Sequence, residues 1–193
     1  TSSETMLFDY TVLEGRIGSE NRGRILCCAM PKAMLDGYRS LFAAAGIQPT
    51  LCDTGLNCLI KAASLFPDLK VSPCVLATID SRVFTCTLYA EGQYLFSNRY
   101  PLMAEPATPD YAVEVAGRLS AIHQFFKSEK GNVTLERAYF YGVDKPILDQ
   151  LQPAAASLGI RIYPLPSSPQ ITFRNEGDLP GDYLAAIGCL VRK

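Results

Sequence analysis

The chain has 193 residues, 48% of them apolar and 19% charged, and its 18 basic and 19 acidic residues leave a formal net charge of −1. This is enough apolar material for one large domain or two small ones, and too little charge for a disordered chain. The balanced charge removes the electrostatic footprint of a DNA- or RNA-binding domain, and no apolar run reaches the ~20 residues of a membrane span.

Met6, Phe8, Tyr10 and Val12 alternate, which predicts a half-buried strand over residues 5–13. Residues 14–22 are polar, contain two glycines and read as a turn. A second strand over 23–30 is apolar on both faces, which places it centrally in its sheet. Pro31 suits the first turn of a helix carrying Ala33, Leu35 or Met34, Tyr38, Leu41, Phe42 and Ala45, and Gly46 ends it. Residues 47–53 read as a third strand. A helix follows over 55–66, with Leu56, Leu59, Ile60 and Ala63 on one face and Pro67 as its stop.

A three-stranded meander is predicted over 74–80, 83–89 and 93–100, with Ala90-Glu91-Gly92 as its second turn. After a proline-rich loop, Asp110 is the expected N-cap of a helix over 111–127, with Val113, Ala116, Leu119, Ile122, His123 and Phe126 on its buried stripe. A strand over 136–142, a helix over 146–158 and a strand over 160–165 come next. A loop leads to a nearly all-apolar, buried helix over 183–191, where Gly188 permits close packing against the sheet. The order is that of an α/β architecture.

The seven cysteines, an odd number without CxxC or Cys/His zinc spacing, lie in apolar surroundings. They read as small buried hydrophobes of an intracellular protein, and no metal site is expected. No basic segment followed by an apolar stretch forms a secretory signal, and the chain opens on Thr1, as an excised piece of a longer protein would. Cys27-Cys28 with the single histidine, His123, is a weak nucleophile–base pair, because both cysteines sit in mid-strand and His123 in mid-helix. Glu105, Asp110 and Glu114 cluster where a helix start stabilises negative charge, which accounts for them without catalysis. No Walker loop and no GxGxxG occur. Gly142, between a strand and a helix, would let backbone approach a ligand, and a tight turn explains it equally. No catalytic residue is assigned.

Five segments carry a family resemblance. They are Asp9-Tyr10-Thr11-Val12-Leu13; Pro31-Lys32 followed by Leu35, Tyr38 and Ala45-Gly46; Pro49 with Asp53; Gly92 followed by Leu95-Phe96-Ser97; and Ala186-Ile187-Gly188 near the end. In this order and spacing the chain resembles the PilM family of type IV pilus assembly proteins, actin-like relatives of the cell-division protein FtsA. The resemblance implies an actin-like, ribonuclease-H-like α/β fold lacking its N-terminal phosphate-binding subdomain. Residues 1–53 would be the small inserted subdomain on the partner-groove side, 54–70 a connecting helix and 71–193 the second actin-like domain. Removal of the first large subdomain would leave Leu56, Leu59, Ile60 and Ala63 exposed, so that the chain self-associates or traps a peptide there; the alternative is that this helix packs back onto the second domain and the chain is a monomer.

The family's phosphate turn, DxG, is degraded here. Thr78 falls at the acid with Asp80 at the glycine, or Asp80 at the acid with Arg82 at the glycine. The paired glycines of its adenosine turn are reduced to Gly142, preceded by Tyr141. Asp80 and Gly142 are therefore vestigial nucleotide-turn residues, and no cofactor is expected. The resemblance implies a cytoplasmic scaffold, not an enzyme, peripheral to the inner face of the bacterial membrane through its partners. Those would be the short cytoplasmic tail of an inner-membrane pilus protein of PilN type and the assembly motor ATPase, with neither nucleic acid nor direct membrane insertion. The alternatives are the cytoplasmic domain of a type II secretion platform protein and an active actin-like ATPase or kinase.

Overall fold

The computed structural model describes residues 3–14, 23–130, 134–174 and 180–191. The chain divides into two compact units, residues 1–54 and 55–193.

In the first unit, β1 (Met6–Glu14) and β2 (Arg24–Pro31) form an antiparallel hairpin, followed by α1 (Lys32–Ala44). The residues expected as the joining turn lie outside the described residues, apart from Glu14, which extends β1. Gly46, at φ 71°, ends α1: Ile47 N–H donates to Phe42 and Gly46 N–H to Ala43. This is a Schellman motif, with glycine supplying the left-handed residue that closes it.

Two expectations fail in this unit. β2 is paired on one side only and its residues alternate between half-buried and exposed, so it is not a central strand. Residues 47–53 form no strand, for no ladder receives them. A short apolar run becomes a strand only where a partner edge is available.

The second unit is a five-stranded sheet between two helical layers. Its strands are β3 (Cys74–Asp80), β4 (Val83–Ala90), β5 (Gln93–Pro101), β6 (Arg137–Phe140) and β7 (Arg161–Pro164), in the order β5-β4-β3-β6-β7. β3, β4 and β5 are antiparallel neighbours, whereas β3-β6 and β6-β7 are parallel. Its helices are α2 (Gly55–Ala63), α3 (Asp68–Val71), α4 (Pro109–Lys130), α5 (Lys145–Ala156) and α6 (Leu184–Leu190).

Alternation along β3 sends Val75 and Ala77 to one core and Cys74 and Leu76 to the other. The first core joins the sheet to Val115, Leu119, Ile122 and Phe126 of α4 and Leu148, Leu151 and Ala155 of α5. The second joins it to Leu59, Ala62 and Ala63 of α2, Phe66, Leu69 of α3 and Leu184 of α6. Leu59, Ile60 and Ala63 are buried and Leu56 half-buried. This corrects the expectation that their face of the helix stands open for self-association.

Gly188 is buried, but against a helix and not the sheet: a Cβ there would run into the backbone carbonyl of Cys58 in α2. α6 is buried on one face only, since Leu190 is 82% exposed. Val113 of α4, expected in the stripe, is likewise 65% exposed. The N-cap of α4 is Thr108, whose hydroxyl accepts from Tyr111 N–H at 3.4 Å, while Asp110 lies within the first turn. On the outer edge of β7, Gln152 Oε1 accepts the Ile162 N–H at 2.9 Å, and Pro164 has no N–H to offer.

Of the cysteines, Cys58, Cys74 and Cys86 are buried as expected, whereas Cys27 and Cys52 are exposed and Cys28 and Cys189 half-buried. Burial pushes the Cys74 and Cys86 thiols up to about 12.

Candidate functional site

Parallel strands gather the loops at their carboxyl ends, where open α/β sheets hold ligands. β3 and β6 are parallel neighbours, and the turns after them carry the two residues expected to mark a nucleotide site, Asp80 and Gly142. The backbone locks these ends together: Tyr141 N–H donates to the Ala77 carbonyl at 3.0 Å. Thr78 stands half-buried beside Gly142, its hydroxyl oxygen 3.8 Å from where a Cβ on Gly142 would lie. Asp80 and Gly142 themselves are exposed.

The β3–β4 turn is held by its own side chains. Ser81 adopts φ 55°, a left-handed conformation that favours glycine, and its hydroxyl donates to Asp80 Oδ1 at 3.2 Å. Arg82 forms an ion pair with Glu105, and its carbonyl accepts Leu102 N–H at 2.7 Å. At the second turn Gly142 takes φ 60°, which explains the glycine by conformation alone.

Sequence reasoning missed Gly181. A Cβ on it would come within 2.9 Å of Gly142 N and 3.1 Å of Tyr141 Cα, so the 180–183 segment lies directly on the Tyr141–Gly142 turn. A glycine in a long loop gives no sign of which turn it will rest on. Tyr141 is half-buried, and burial raises its hydroxyl to about 12, so it is neutral at physiological pH.

The acidic cluster has structural employment. Glu105 pairs with Arg82, and Glu114 accepts the Met103 and Ala104 amides at 2.9 and 3.0 Å, pinning the loop before α4. Cys27 and Cys28 belong to the first unit and His123 to the second. Among the described residues, no group of three or more His, Cys, Asp or Glu side chains gathers as a metal site.

The first unit presents a different kind of surface. None of its described side chains is buried. The ladder pairs Phe8 with Ala29, Tyr10 with Cys27 and Val12 with Ile25, setting six apolar residues on one hairpin face. All six are exposed within this chain. On α1, Met34, Tyr38 and Leu41 are exposed as well. The period-2 pattern of β1 was readable as a strand; that its apolar face would lack cover was not.

No family model and no curated protein matches the chain. Among solved structures it is similar to a chain of a PilM-PilN type IV pilus biogenesis complex, with TM-score 0.68 and 14% identity, over 97% of this chain and 66% of that one. It thus spans slightly under two thirds of that neighbour. It also resembles a protein of actin-like ATPase fold and unknown function from Bacteroides thetaiotaomicron, with TM-score 0.49 and 13% identity, over 84% of this chain and 55% of that one. The chain shares the α/β fold of the first of these neighbours.

Proposed function

We propose that the chain is a scaffold of type IV pilus assembly that binds the short cytoplasmic tail of an inner-membrane protein of PilN type and is not an enzyme. The observation that carries this reading is the likeness, over 97% of the chain, to a component of a PilM-PilN complex. The open hairpin face supports it. Phe8, Tyr10, Val12 and Ile25 are apolar anchors of the kind that receive an extended or helical tail, and a two-stranded hairpin has outer edges that can bond to it. No described helix is long and apolar enough to cross a membrane, so membrane association would come through the partner.

The nucleotide turns fit a non-catalytic role. A phosphate is gripped by bare backbone N–H groups. In one of the two alignments of the first turn the glycine position carries Arg82, whose side chain is tied to Glu105; in the other it carries Asp80. Gly181 rests on the second turn.

The test is calorimetric titration of the whole chain with a synthetic N-terminal PilN-type peptide, and separately with ATP and Mg²⁺. Saturable peptide binding, weakened at least tenfold by Phe8→Glu, is expected, with ATP binding absent or millimolar. Peptide binding that is absent, or unchanged in Phe8→Glu, overturns the partner assignment; micromolar ATP affinity overturns the non-enzymatic one.

A further inference from the structure

At the opposite end of the same parallel strands lies a pocket of about 320 Å³, lined by Glu136, Arg137, Gly159, Arg161 and Tyr163. Its composition follows from register. Arg137 opens β6, Arg161 opens β7, and the ladder sets them directly opposite each other. Cross-strand partners share a sheet face, so the two guanidinium stems leave the sheet side by side, with strands ~5 Å apart. Two residues on, Tyr139 and Tyr163 repeat the pairing, their rings 5.7 Å apart. Tyr139 and Tyr163 lie close enough to Arg137 to favour its charged form.

Two like charges in register repel and cost stability unless something offsets them. Among the described residues, no ion pair engages Arg137 or Arg161. The one acid of the lining, Glu136, accepts from the Thr134 hydroxyl at 3.0 Å and offsets part of the Arg137 charge, leaving that of Arg161. The other walls are arranged to leave room. Gly159 takes φ 76° at the end of α5, and a Cβ there would meet nothing within 4 Å. The last α5 carbonyls, which would repel an anion, are engaged by Gly159 N–H at 3.0 Å and Ile160 N–H at 3.1 Å.

We propose that this pocket binds a phosphate group, with the Arg137 and Arg161 guanidiniums donating to its oxygens and Tyr163 walling the side. A tetrahedral oxyanion spreads its acceptors in three dimensions and so suits two forks that need not be coplanar, whereas the acceptor sites of a carboxylate lie in one plane. The pocket volume is at the small end of ligand sites, suited to free phosphate or a small phosphate monoester. This site is independent of the pilus reading and lies at the other end of the strands from Asp80 and Gly142.

The test is a ¹H–¹⁵N titration of the whole chain with inorganic phosphate, glycerol phosphate and acetate in parallel, at constant ionic strength. Saturable shifts confined to residues around Arg137, Gly159, Arg161 and Tyr163 are expected. Arg161→Gln, an exposed substitution that leaves the core intact, should weaken them about tenfold or more, and Arg161→Lys should restore only part. Tighter binding of glycerol phosphate than of free phosphate assigns an ester; the reverse assigns the ion, and either supports the site. Diffuse or non-saturable shifts, shifts that persist in Arg161→Gln, or acetate as effective as phosphate would overturn the proposal.

Discussion

The two units put similar apolar residues to opposite uses. In the second, Phe84 of β4 is fully buried in the core, its ring stacked on Tyr100 of β5 and tilted against Phe140 of β6. In the first, Phe8 occupies an equally regular strand and remains 66% exposed. One unit is a sheet covered on both faces; the other is a hairpin and a helix held by ladder bonds and a Schellman cap, with none of its described side chains buried. A two-stranded hairpin has little independent stability. The lesson is that folding free energy is concentrated in residues 55–193, whereas residues 1–54 contribute surface.

The sharpest test of this contrast is a pair of truncations. Phe84→Ala should lower stability by about 3–5 kcal/mol, measured as the shift of the urea midpoint, and should leave little native protein if the chain is only moderately stable. A loss below 1 kcal/mol would mean that the sheet core is not where stability resides. Gly188→Leu comes next. Its side chain must displace the α2 backbone at Cys58, so the loss should lie at the upper end of about 1–3 kcal/mol. An unchanged midpoint would show that α6 does not pack as closely on α2 as described.

The buried thiols give a pH test. Cys74 and Cys86 are held neutral up to about 12 in the folded chain, while an unfolded thiol ionises near its ordinary value. Above that value the unfolded state has fewer protons bound, so stability is complete below about pH 8.5 and declines as pH rises toward 12. A thiol reagent at pH 8 should label Cys27 and Cys52 at once and Cys58, Cys74 and Cys86 only on unfolding. Equal rates at Cys52 and Cys74 would break the comparison. The smallest effect belongs to Phe8→Ala, expected within about 0.5 kcal/mol in the unliganded chain. A loss of several kcal/mol would mean that the hairpin face is already covered.

Much of the second unit was legible because its strands are fixed by their own patterning. The apolar run of β3 was readable as a strand, and the Glu91-Gly92 turn, at φ 54° and 71°, has the chemistry of a tight hairpin. What failed was anything decided by a neighbour. Residues 47–53 look strand-like but meet no edge. Val113 and Leu190 are apolar yet exposed, for apolar surface is common outside as well as inside. Gly188 was legible as a close contact, but its partner was not, because composition does not say whether a helix rests on a sheet or on another helix. The same holds at the sites. Asp80 and Gly142 were legible as strand-end turns. Gly181 lying on Gly142, and Arg137 facing Arg161, depend on topology and register, which no local pattern encodes.

The outer edge of β7 has a consequence for the protein in a crowded compartment. A sheet edge grows by accepting a foreign strand, and each added strand exposes a fresh edge, which is how fibrils propagate. On β7 that growth is stopped at both outward-facing positions, because the Gln152 side chain already takes the Ile162 amide and Pro164 has none to give. The parallel end of the sheet is thereby terminated in chemistry as well as in sequence, and polymerisation through it would require α5 to release Gln152 first.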